Sequence, residues 1–184
     1  GTPLWIPGPS TSLPISYRRK GVSIGDVGTL TKQGAFRFFF NIFEEATSDI
    51  NGGMVPDGFV PLRLTTRNQH QTTGAPELTE RGIDEHKLYT NGDWIGSQGI
   101  EAETTTNSAF SDSGFTFTTL AAEGAILMMP HGATSKDFAM ENRLKQYVAA
   151  NLEDWYKYVI HEAHYDAQNG DLRLISGCDK ASAW

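Results

Sequence analysis

The sequence predicts an α+β fold, mainly β: an antiparallel sheet or sandwich with one long C-terminal amphipathic helix. Three observations carry that prediction. Strand-like runs bounded by turn residues recur from Val22 to Met129. Five phenylalanines fall within the eight residues Phe36–Phe43, a density that belongs in a core. One stretch after Thr134 places apolar residues at helical spacing.

The chain opens with prolines at positions 3, 7, 9 and 14, so residues 1–16 are expected to form an extended proline-rich arm, pinned by Trp5 and Ile6. Residues 17–184 are expected to form a single globular domain. Val22–Leu30 and Phe36–Phe43 have strand composition, and Thr31-Lys32-Gln33-Gly34 supplies the turn of a hairpin. On the second strand a period of two puts Phe36, Phe38, Phe40 and Ile42 on one face. Arg37, Phe39, Asn41 and Phe43 fall on the other, which predicts a central strand covered on both sides.

Glu44–Asp57 is rich in turn formers, and Phe59–Leu64 forms a short strand that Pro61 confines to an edge. Thr65–Asp93 has no sustained period and is expected to be a long loop, with one helical turn near Glu77–Arg81. Asp93–Thr106 and Gly114–Leu120 alternate polar and apolar residues, as half-buried strands do. Gly124–Met129 is an apolar strand joined to the preceding one by a hairpin turn at Ala121–Gly124.

Thr134-Ser135-Lys136-Asp137 matches a capping box and marks the start of the helix. Phe138, Leu144, Tyr147, Val148, Leu152, Trp155, Val159 and Ile160 then form its buried face, and the helix ends near Ala163–Asp166. Asn169-Gly170 turns into a last strand, Asp171–Ser176.

The formal net charge of −7 argues against nucleic acid as a partner, because phosphate recognition needs a positive surface. It also weakens the case for anionic membranes. One cysteine, Cys178, permits no intramolecular disulfide and fits a reducing, cytoplasmic setting, although secretion of a processed chain is also compatible. No run of apolar residues approaches the ~20 of a membrane-spanning helix.

Three clusters carry possible chemistry. His161 and His164 stand three apart, with Glu162 and Asp166 beside them, so they are candidate metal ligands. The spacing is not the H-E-x-x-H of zinc proteases, and histidines at a helix C-terminus also serve its dipole. Cys178 is a candidate nucleophile, with His131, His161 or His164 as base; the alternative is a small buried residue at a strand end. Gly25-Asp26-Val27-Gly28 offers backbone amides to an anion but lacks G-x-G-x-x-G spacing, leaving a β-bulge or an Asp26 side-chain turn as structural explanations. No cofactor motif is present. Thr104–Thr119, rich in Ser and Thr, has the pattern of an edge strand pair and also that of a hairpin that inserts into a membrane. Trp155-Tyr156-Lys157-Tyr158 suits an aromatic ligand platform, but Trp155 keeps register with the core stripe.

LWIP near the start, SIGDVGTLTKQGAFRFFFNIF, VPDGFVPL, GAILMMPHGA, the WYKY segment and SGCDKASAW together resemble a group of uncharacterised basidiomycete fungal proteins. Similar blocks occur there in the same order, and the resemblance spans nearly the whole chain. It implies a fungal origin and a chain that continues past Trp184. It carries no activity, cofactor or site residue. The functional expectation is a non-enzymatic binding or interaction module, contacting its partner through Thr65–Asp93 and the arm. The alternatives are a hydrolase built on His161, His164 and Asp166 or on Cys178, and a membrane-acting protein.

Overall fold

A computed structural model describes residues 10–63, 77–78, 83–89, 93–96, 98–107 and 112–181. In chain order the elements are α1 (Ile15–Lys20), β1 (Asp26–Leu30), β2 (Phe36–Asn41), β3 (Glu77–Leu78), β4 (Ile83–Tyr89), β5 (Asp93–Gly96), β6 (Ile100–Asn107), β7 (Asp112–Thr119), β8 (Ile126–Met129), β9 (Ala133–Phe138), α2 (Glu141–Lys157), a π-helical turn (Tyr158–Glu162), β10 (Leu172–Leu174) and β11 (Gly177–Ala181). The fold is therefore α+β and mainly β, with one long helix towards the C-terminus. It packs as two compact units, Gly1–His86 with Ser135–Asp179, and Lys87–Thr134 with Lys180–Trp184.

The first unit is built on a three-stranded antiparallel sheet, β10–β1–β2. The register of β1 against β2 shifts between Val27, opposite Phe40, and Gly28, opposite Phe38. Phe39 is the extra residue, which is a β-bulge. The bulge corrects the single-face expectation for β2, because one extra residue reverses the alternation beyond it. Phe38 and Phe36 pack with Tyr17, Ile50 and Leu13, whereas Phe40 and Ile42 join a separate cluster with Leu144, Trp155, Tyr158 and Val159. Phe40 is fully buried and meets Phe59, Trp155 and Tyr158 edge-on, at centroid distances of 5.6, 5.5 and 6.0 Å. Edge-on packing sets the positive rim of one ring against the negative face of the next.

The helix begins later than the capping-box pattern predicts. Thr134-Ser135-Lys136-Asp137 lies in β9, within the sheet ordered β11–β9–β4–β3, and α2 starts at Glu141. Ala133 and Ser135 are buried on alternate positions, and the Phe138 N–H donates to the Ser176 carbonyl at 2.8 Å. Sheet pairing has overridden a local motif that a helix or a strand can satisfy equally well. Leu144, Trp155 and Val159 are buried as expected, but Phe138 belongs to β9, and Leu152 and Ile160 are exposed. The helical segment ends at Glu162 with Ala163 as its C-cap, at the near edge of the expected window.

Other boundaries also moved. α1 begins at the end of the arm, directly after Pro14, where a residue with fixed φ suits a helix start, and runs on to Lys20; residues 1–9 lie outside the described set. No strand forms over 59–63, where the Leu62 N–H donates to the Ile42 carbonyl at 2.7 Å and Pro61 has no amide to donate. The expected loop Thr65–Asp93 contains β3 and β4, and Glu77–Leu78 is extended rather than helical.

In the second unit, β6 pairs with β7 and β5 with β8, both antiparallel. Ala121–Gly124 therefore links two different sheets and is not a hairpin turn. The predicted strand Asp93–Thr106 is divided into β5 and β6, with Gly99 between them at φ +84°.

Candidate functional site

The most developed polar constellation lies inside the first unit, at the junction of α1, β1 and β2. Asp26 is 1% exposed, in a protein where an ionisable group so buried normally has partners. Its Oδ2 accepts from the Ser23 amide at 2.7 Å and from the Tyr17 hydroxyl at 3.0 Å. Its Oδ1 accepts from Asn41 Nδ2 at 2.7 Å. The sequence places these groups through three local devices. Gly25, at φ +88°, turns the chain so that Ser23 and Asp26 face one another. α1 carries Tyr17 inward against the Phe38 ring, at a centroid distance of 4.1 Å. The β1–β2 register sets Asp26 opposite Asn41.

A second layer supports the first. Asn41 Nδ2 also donates to the Ile24 carbonyl at 3.0 Å, and its Oδ1 accepts from the Phe43 amide at 2.9 Å. Burial pushes the Asp26 carboxyl up to about 6, against the lowering influence of the bonds from Asn41, Ser23 and Tyr17 and of the Lys20 charge. Burial, then the adjacent Asp26 carboxylate, pushes the Tyr17 phenol above its ordinary range.

Of the two structural explanations for Gly25–Gly28, the Asp26 side-chain turn holds. The bulge lies on the partner strand, where Phe39 is the extra residue opposite Val27 and Gly28. The anion reading is corrected by the same geometry, because the Gly25 amide donates to the Ile175 carbonyl at 2.8 Å and the Asp26 amide to the Ser23 carbonyl at 3.1 Å.

His131, His161, Glu162, His164 and Asp166 are all exposed. His164 has φ +50° where the chain leaves the π-helical turn, so it no longer follows helical spacing from His161. Among the described residues, no three His, Cys, Asp or Glu side chains gather as a metal-binding group. Cys178 is half-buried against the core that contains Val27 and Phe138. Trp155 and Tyr158 are buried in that core, as their register predicts.

Of these residues only Asp26 stands out in the sequence; Tyr17 and Asn41 join it through the fold. The available signal was an asparagine closing an aromatic strand, where an apolar residue would pack more simply. No protein-family model matches the chain, and no curated protein or solved structure matches it significantly.

Proposed function

We propose that the chain is a non-enzymatic binding or interaction module, cytoplasmic, and part of a longer fungal protein of the basidiomycete type its sequence blocks resemble. The observation that carries this reading is an apolar, accessible edge in the second unit. Leu120 is fully exposed, and Ile126 and Leu127 of β8 are 41% and 40% exposed. β8 pairs with β5 on one side, and among the described residues no strand pairs with its other side. Apolar side chains beside an open ladder suit the addition of an extended partner segment. The Asp26 network supports the same reading, since its polar atoms are engaged with one another.

The test is a broad hydrolase substrate panel with the purified protein. No turnover is expected. Turnover that His161→Ala or His164→Ala abolishes would overturn the reading in favour of the hydrolase.

One observation favours membrane action as a second reading. The β6–β7 register puts Ile100, Ala102 and Phe117, all half-buried, on one face, and the exposed Glu101, Glu103, Thr116 and Thr118 on the other. At eight residues each, the strands fall just short of the ~9–11 that a tilted membrane strand needs. No helix among the described residues is long and apolar enough to cross a membrane. Dye release from liposomes tests this reading, and intact vesicles at micromolar protein would count against it.

A further inference from the structure

We propose that residues 10–22 form a clasp whose closure is controlled by the protonation state of Asp26. The clasp has four attachments, one of them the Lys20–Glu44 ion pair at 3.6 Å. Tyr17 fills an apolar seat made by Leu13, Phe36, Phe38 and Ile50. The Tyr17 hydroxyl and the Ser23 amide both meet Asp26 Oδ2. The Ser16 hydroxyl adds a long contact of 3.4 Å to the Asp49 carbonyl. Arg18, Arg19 and Lys20, on the same short helix, are exposed. α1 spans six residues, too few to persist in water without these attachments.

The chemistry of the partners makes Asp26 the control point. The Ser23 amide and Asn41 Nδ2 can only donate. A protonated carboxyl therefore needs an acceptor, and the Tyr17 hydroxyl is the one partner that can reverse from donor to acceptor. In the protonated state the Asp26 O–H donates to Tyr17, while the other two donors still reach carboxyl lone pairs. In the ionised state all three donate to a carboxylate taken out of water, with no cation in hydrogen-bonding contact among its named partners. Desolvation then disfavours the closed clasp. Opening α1 rehydrates Asp26 and relieves that cost.

The charged and titratable groups around Asp26 define the range. α1 contributes Tyr17 and Lys20, and the Lys20 charge lies 3.6 Å from Glu44. β2 contributes the neutral Asn41, and β10 contributes exposed Arg173, opposite Gly28 in the ladder. The closed clasp holds the carboxyl near 6, against an ordinary value of 3.8 once it is open to water. The closed state is raised above the open one, so closure is tightest below about 4. It weakens as pH rises through about 6 and is level above that.

Hydrogen exchange measured by mass spectrometry, corrected for intrinsic rates, tests the clasp at pH 4, 5, 6 and 7.5. Peptides covering 13–25 report the Arg18 amide bonded to Pro14, Gly21 bonded to Tyr17 and Ser23 bonded to Asp26. Their protection should fall by between ten- and about a hundredfold from pH 4 to 7.5. Peptides from α2 should change by less than about threefold. Asp26→Asn, which cannot ionise, should flatten the profile. Protection of 13–25 that is constant with pH, or an equal loss throughout α2, would overturn the proposal. If Asp26→Asn does not fold, carboxyl-carbon NMR of the unmodified protein decides. A midpoint near 6 for Asp26 supports the clasp, and one at or below 4 overturns it.

Discussion

The Asn51 side chain pairs with both backbone groups of Asn41. Its Oδ1 accepts from the Asn41 amide at 2.8 Å, and its Nδ2 donates to the Asn41 carbonyl at 3.1 Å. A carboxamide thus completes the end of β2 in the way a neighbouring strand would. Nδ2 also reaches the carbonyls of Glu44 and Glu45, at 3.1 and 3.2 Å, and so fastens the following turn.

Asn51→Ala should therefore destabilise the protein by about 3 kcal/mol or more, since buried backbone groups left without partners cost ~1–3 kcal/mol each. Urea denaturation monitored by tryptophan fluorescence measures it. A loss under about 1 kcal/mol would mean that water replaces the side chain.

Gly28→Ala should be far more costly than Gly52→Ala. A Cβ on Gly28 would strike the Arg37 carbonyl oxygen and the Phe36 ring, while one on Gly52 meets nothing within 4 Å. Gly52 carries only the strain of φ +56°, roughly 1–2 kcal/mol for an L-residue. Thermal unfolding of the two variants should differ by several degrees at least.

His164→Gly should stabilise the protein by about 1 kcal/mol. The histidine is exposed and sits in the left-handed region that glycine adopts freely. If His164 instead served a reaction, the same variant would lose activity. Stability and substrate-panel measurements on one preparation separate these outcomes.

Phe40→Ala should cost ~3–5 kcal/mol, as truncation of a fully buried aromatic does. Leu152→Ala, at a position of α2 that is 39% exposed, should stay within about 1 kcal/mol. Paired denaturation curves check the contrast. Similar losses would mean that Leu152 is buried with the rest of the face that Leu144, Trp155 and Val159 form.

The Cys178 thiol should react with a disulfide reagent at least tenfold more slowly in the folded protein than in urea, because it is half-buried against the core. Labelling as fast as an unfolded cysteine would favour the nucleophile reading.

The amino-acid pattern alone determined the class of fold, the first hairpin, the C-terminal boundary of the helix to within a residue and the burial of Trp155 and Val159. Those features rest on local composition and periodicity, which a single chain displays directly. It also carried the Asp26 side-chain turn, because glycine and aspartate report backbone geometry. Only the tertiary structure decided the rest. Whether Thr134–Asp137 caps a helix or pairs in a sheet depends on partners more than thirty residues away in sequence, Gly177–Ala181 and Ile83–Tyr89. The bulge at Phe39 depends on the register of β1 and reassigns two phenylalanines to a different cluster. The Asp26 network joins residues from three separate segments, each an ordinary polar residue in its own context. Burial gives that constellation its chemistry, and burial is a property of the assembled fold.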